Sequence, residues 1–229
     1  MPLSINLVTP PAVEPVSLAT AKTHLRIDYD NSAEDALITA FIVAARQYAE
    51  KITHRAFFNQ TWTLNLDCFP IYPWWSGTIQ ASSPRTDWLA RYGILRGQQI
   101  LLPKPHLASI TSIKYVDVTG TQQTLSDTGY YVDNTSEPAR LVPMPGLCWP
   151  ATQTYMPGSV QITYLTGSYG DRTEVNTCPQ TVCMAILLLV AHFYANREAT
   201  SGASLKNIPL GVEALLDTVK FNFWGYENN

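Results

Sequence analysis

The chain has 229 residues, of which 14% are charged and 11% aromatic, and its formal net charge is −3. That length holds one domain of ordinary size with an insertion, or two small ones. No basic run is present, which excludes tight electrostatic binding of nucleic acid as a main role, and a charge content well below the ~25% of typical soluble proteins fits either a surface covered by partners or a monomer with a large core.

Residues 1–16 are Pro-rich and extended, with neither the basic nor the apolar region of a signal peptide. Ser17 can cap a short helix in which Leu18, Ala21 and Leu25 recur at helical spacing. Asn31, with Glu34 three residues on, resembles a capping box for a helix over about Ala33–Ile52. The stripe Leu37, Phe41, Ala44, Ala45, Tyr48 and Ile52 reads as its buried face. Glu34, Arg46, Gln47 and Glu50 lie mostly off that stripe, and the carboxylates Glu34, Asp35 and Glu50 read as solvated surface charges.

After Phe58 the period changes. Residues 61–67, TWTLNLD, alternate strictly and predict a half-buried strand. Further strands are expected at Ile100–Leu102, Ile110–Val118, Gln123–Leu125, Tyr130–Asp133, Ala139–Val142 and Val160–Leu165, broken by Pro, Gly and the turn Thr119-Gly120-Thr121. Short strands with such turns read as a small antiparallel barrel or sandwich. Within this region the segment 71–99 is loop-like and carries Trp74, Trp75, Trp88 and Tyr92. A long loop of this kind serves a partner, or its aromatics fold back as a satellite core.

From Pro179 the chain is helical again. Every residue from Val182 to Ala191 is apolar, so this helix is buried on all sides, by its own chain or by a neighbouring subunit. Ten residues fall short of the ~20 that a bilayer span needs. A last helix is expected over Ile208–Lys220, with Pro209 at its start. The tail after it carries Phe221, Phe223, Trp224 and Tyr226. Either it orders against a partner, or it packs back on its own domain. The fold class read from this layout is α+β: N- and C-terminal helices (1–57 and 171–229) form a helical bundle, with a small antiparallel β domain (58–170) inserted between them.

No catalytic or metal-binding constellation assembles, and no cofactor is implied. His24, His54, His106 and His192 sit in unrelated contexts, and Cys68, Cys148, Cys178 and Cys183 show neither a CxxC pair nor zinc spacing. This cysteine usage fits a reducing cytoplasm. Gly167-Ser168-Tyr169-Gly170 lacks the phosphate-loop pattern, and no GxSxG elbow occurs.

Several phrases, in order, resemble the head–tail connector (adaptor) proteins of long-tailed bacteriophages. They begin with Glu14-Pro15-Val16-Ser17-Leu18, Ala21-Lys22 and Leu25-Arg26. Ala44-Ala45-Arg46, Glu50, Arg55, Gln60-Thr61-Trp62, Leu102-Pro103, Tyr131-Val132-Asp133 and Pro138-Ala139-Arg140-Leu141 continue the match. Trp149-Pro150, Tyr194-x-Asn196-Arg197-Glu198 and Ile208-Pro209-x-Gly211-Val212 complete it. The segment 71–99 and the aromatic tail depart from the family pattern.

The resemblance implies a non-enzymatic virion protein of the neck. Its members form a ring, usually twelve-fold, beneath the portal protein. The ring extends the channel through which packaged DNA passes without sequence-specific binding, and it presents a docking surface to a tail-terminator, stopper or other neck protein. No membrane is implied. On this reading Phe221, Phe223, Trp224 and Tyr226 are expected to bind the portal, and Trp74, Trp75, Trp88 and Tyr92 to touch a neck component or neighbour. Arg46 and Arg197 are inter-subunit candidates. The alternative reading is a surface- or carbohydrate-binding β module with Trp74, Trp75 and Trp88 as an aromatic platform.

Overall fold

The computed structural model describes residues 4–28, 30–70, 95–96, 98–153, 156–170, 178–197 and 210–221. Nine strands and four helices occur among them: β1 (Ser4–Thr9), α1 (Leu18–Leu25), α2 (Asp35–Thr53), β2 (Gln60–Leu66), β3 (Leu95–Arg96), β4 (Gln99–Leu101), β5 (Leu107–Val116), β6 (Gln122–Thr124), β7 (Tyr130–Asp133), β8 (Arg140–Pro143), β9 (Val160–Thr166), α3 (Gln180–Ala195) and α4 (Leu210–Asp217). The fold is α+β. The chain divides into two compact units, one helical (Pro11–Phe58 with Tyr169–Phe221) and one built of strands (Asn59–Ser168 with the residues up to Pro10).

The β unit holds two antiparallel sheets, ordered β1-β2-β9-β5-β6 and β3-β4-β8-β7. Alternation sends Leu64 and Leu66 of β2 and Val160, Ile162 and Tyr164 of β9 inward, where they meet Ile100 and Leu141 of the smaller sheet. Phe69 stacks on Trp149, with ring centroids 4.9 Å apart. The β5–β6 turn closes on Asp117, whose Oδ1 accepts from the N–H groups of Thr119 and Thr121 at 2.9 and 3.0 Å. Gly120 takes φ +86° in this turn, a conformation that strains an L side chain. β1 departs from the predicted partition. Residues 1–57 were assigned to the helical domain, with 1–16 extended, but the uncharged run Ser4–Thr9 pairs with β2 and belongs to the β unit.

In the helical unit, Ser17 caps α1 as expected, its Oγ accepting from Thr20 N–H at 3.1 Å. The expected capping box at Asn31 and Glu34 does not form. Asn31 Oδ1 accepts from Ala33 instead, and the Glu34 carboxylate reaches Tyr194 and Arg197. The buried face of α2 is also displaced around the helix from the expected stripe. It consists of Ile38, Ile42, Ala45, Ala49 and Thr53, flanked by Arg46 and Glu50, while Leu37 is 37% exposed. The two stripes have the same spacing; the buried one packs in the apolar core, and beside it Arg46 is paired with Glu14 and Glu50. Val182, Ala185, Ile186, Leu189 and Val190 of α3 pack with this face and with Val212 and Leu216 of α4.

Candidate assembly surfaces

α3 is the element with most to hide, and its own unit covers only part of it. Met184 is 49% exposed, and Leu187, Leu188 and Ala191 are half-buried. These positions recur at three- and four-residue steps, so they form one apolar stripe along the helix. Beside the stripe lies a groove of about 490 Å³, lined by Pro15, Val16, Thr20, Met184, Leu187 and Leu215. The entry to α1 forms one wall and the α3 stripe the other. The sequence showed a helix apolar all round. Which side stays open is decided by tertiary packing.

Arg46, expected at a subunit interface, belongs to the interior of its own unit. It is 3% exposed. Its Nε donates to Glu14 Oε2 at 2.8 Å and its Nη1 to Glu50 Oε2 at 2.8 Å. The other oxygen of Glu50, itself only 6% exposed, accepts from Phe57 N–H at 2.9 Å. The triad thus joins the N-terminal arm, α2 and the chain leaving α2. Burial raises the Glu14 carboxyl above its ordinary value, and Arg46 offsets part of the rise. A buried charge needs a partner. That need explains why Glu50, read from the sequence as a solvated surface charge, sits inside beside Arg46. An acid and a base four residues apart on α2 were the visible signal, but such pairs are usually exposed.

Arg197 lies at the far end of α3 and is partly exposed. Its guanidinium donates to Glu34 Oε1 at 2.8 Å and rests over the Tyr194 ring, 4.3 Å from the centroid. Tyr194 Oη donates to the other Glu34 oxygen at 2.5 Å. The hydrogen bond from Tyr194, then that from Arg197, holds the Glu34 carboxyl below its ordinary value. This cluster pins the end of α3 to the start of α2 and leaves one face of Arg197 to solvent.

Phe221, expected in a partner-binding tail, is docked on its own unit. Its N–H donates to Thr53 O at 2.9 Å, and Arg55 lies over its ring. Arg55 Nε in turn donates to Val219 O at 2.8 Å. The C-terminal end of α2 leaves carbonyl groups without intrahelical partners, and Thr53 O is the one that accepts from Phe221. Phe223, Trp224 and Tyr226 lie outside the described residues, as do Trp74, Trp75, Trp88 and Tyr92. Among the described residues no group of three or more His, Cys, Asp or Glu could hold a metal ion, and no helix is long and apolar enough to cross a membrane.

Residues 15–72, spanning α1, α2 and β2, match the family described as phage gp6-like head-tail connector protein. No curated protein matches the chain. Several solved structures share its fold, three of which are the following. A chain in the neck of an empty gene transfer agent particle, computed with C6 symmetry, has a TM-score of 0.68 at 22% identity, with 96% of each chain covered. One in the virion of the native particle has a TM-score of 0.67 at 22% identity, again with 96% of each chain covered. One in the native neck, computed with C12 symmetry, has a TM-score of 0.63 at 22% identity and 97% coverage of each.

Proposed function

We propose that the chain is the subunit of a head–tail connector: a non-enzymatic ring in the virion neck, beneath the portal, that extends the DNA channel and presents a docking surface to the tail or the next neck protein. The carrying observation is the open apolar stripe on α3, on a chain whose residues 15–72 match the connector family and whose fold recurs in phage-like necks. A half-exposed Met184 flanked by leucines is the kind of patch that marks a protein contact. In a ring, each subunit lays this stripe against its neighbour.

Twelve copies is the number we assign, by analogy with the C12 neck. Arg197, with one face free, is assigned to the rim of that contact. The aromatic segment with Trp74, Trp75, Trp88 and Tyr92 is assigned to a neck component or the adjacent subunit. Phe223, Trp224 and Tyr226 are assigned to the portal. Tryptophan and tyrosine are the residues that dominate interface hot spots.

The test is Met184→Lys. At an exposed site it should leave folding stability within about 0.5 kcal/mol of wild type. It should prevent incorporation into necks, scored by native mass spectrometry and by counting tailed particles. Normal necks carrying Met184→Lys would overturn the assignment of α3.

A further inference from the structure

We infer that the two open edges of the larger sheet, β1 and β6, pair between neighbouring copies, so that the sheet of one subunit continues into the next. The inference rests on the ring reading above.

β1 and β6 are the outer strands of that sheet, and among the described residues each is hydrogen-bonded to a strand on one side only. An open edge is a row of unpaired N–H and C=O groups, and proteins guard such edges with charged residues, proline or an inward charge. Neither SINLVT nor QQT contains a charge or a proline. β1 also exposes branched apolar side chains, Leu7 at 42% and Val8 at 57%. Its one protective feature is the irregularity between Leu7 and Thr9, which leaves Ser4–Leu7 in regular register with β2. All three residues of β6 are exposed, and among the described residues no strand pairs with its outer side.

The occupant is a second copy for a geometric reason. A cyclic ring of more than two subunits needs a heterologous contact, made from two different surfaces of one body. This sheet supplies them, with one apolar edge strand and one polar edge strand. Pairing of β1 with β1 would be isologous and would stop at a dimer. The solved chains of this fold come from necks computed with C6 and C12 symmetry, which calls for the heterologous choice. Both strands are uncharged, so no like-charge repulsion opposes their approach.

The experiment uses the full chain with Leu7→Cys combined in turn with Gln122→Cys, Gln123→Cys or Thr124→Cys, to cover the registers. Particles are assembled, mildly oxidised and run on a denaturing gel, with wild type fixing the background from Cys68 and Cys148. At least one double variant should give a ladder of trimers and larger multimers that neither single substitution gives. Amide exchange at Asn6–Thr9 should also slow on assembly. A ring seen by native mass spectrometry with no ladder in any register and unchanged β1 exchange overturns the edge pairing and leaves the ring reading standing. A product of Leu7→Cys alone that stops at dimer overturns it as well. Wild type that is monomeric even in the neck would remove the ring reading, and this inference with it.

Discussion

Replacing Arg46 by methionine should damage folding before it touches assembly. The guanidinium is 3% exposed and bridges two carboxylates at 2.8 Å each. Methionine keeps most of the volume but removes the charge and the donors. Glu50 would then stay buried with Phe57 N–H as its remaining partner among the hydrogen bonds described above. Breaking a buried pair from one side costs ~3–5 kcal/mol. Glu14 softens that loss, because burial already raises its carboxyl and it can take up a proton. The low end, about 3 kcal/mol, is therefore expected from chemical denaturation followed by helix circular dichroism. The sign with pH follows. A carboxyl raised in the folded state contributes stability below its unfolded value and loses it as pH rises through the folded one. With Arg46 gone, the deficit should be larger at pH 7 than at pH 5. Arg46→Met with Glu50→Gln should lose less than the sum of the two single changes, since the amide oxygen can still accept from Phe57. A single-variant loss under about 1 kcal/mol, the scale of an exposed pair, or strict additivity, would refute the reasoning.

Two further outcomes follow from the geometry. A chain ending at Lys220 should be about 1–2 kcal/mol less stable than one ending at Phe221, because it loses the hydrogen bond to Thr53 and the ring beneath Arg55; equal denaturation midpoints would count against that anchor. Hydrogen bonds from Thr119 and then Gln123 lower the Asp117 carboxyl from 3.8 to about 2. Its contribution is therefore present above pH 3.8 and lost as pH falls toward 2, and Asp117→Asn should flatten the acid limb of the β unit's stability curve. An unchanged acid limb in the variant would show that the turn contributes nothing.

The strands were legible because a half-buried strand writes its period into the sequence. TWTLNLD announced β2, and Val160–Leu165 announced β9, to within a residue. Helix existence was equally plain, but helix facing was not. The stripe through Leu37 and Phe41 and the one through Ile38 and Ile42 satisfy the same spacing. The choice between them is made by tertiary packing, and the buried side also carries a three-residue ion network whose members lie up to 36 positions apart (Glu14 to Glu50). β1 was missed because prolines at 2, 10 and 11 dominate the N-terminal stretch and mask the six-residue run between them. Packing of the tail on its own domain was one of two alternatives at the sequence level, and the choice for Phe221 was hidden because its acceptor, Thr53 O, is an end-of-helix carbonyl far away in the chain.

The open stripe on α3 also limits how the proposed ring can form. Fully burying a leucine or methionine contributes ~1.5–3 kcal/mol. Met184 is already half covered and Leu187 and Leu188 more so, which leaves roughly 3 kcal/mol for a neighbour to supply. Bringing two proteins together costs an estimated 4–15 kcal/mol in lost translation and rotation. The stripe alone therefore cannot hold a pair of subunits at micromolar concentration. A subunit placed in a ring makes that contact on both flanks and adds whatever its sheet edges and tail provide, while a subunit joining an existing ring pays the association cost once for several contacts. The isolated chain should consequently sediment as a monomer at low micromolar concentration, and form rings when purified portal is added as a template. Stable rings of the chain alone at that concentration would mean that the helical contact buries far more than this stripe.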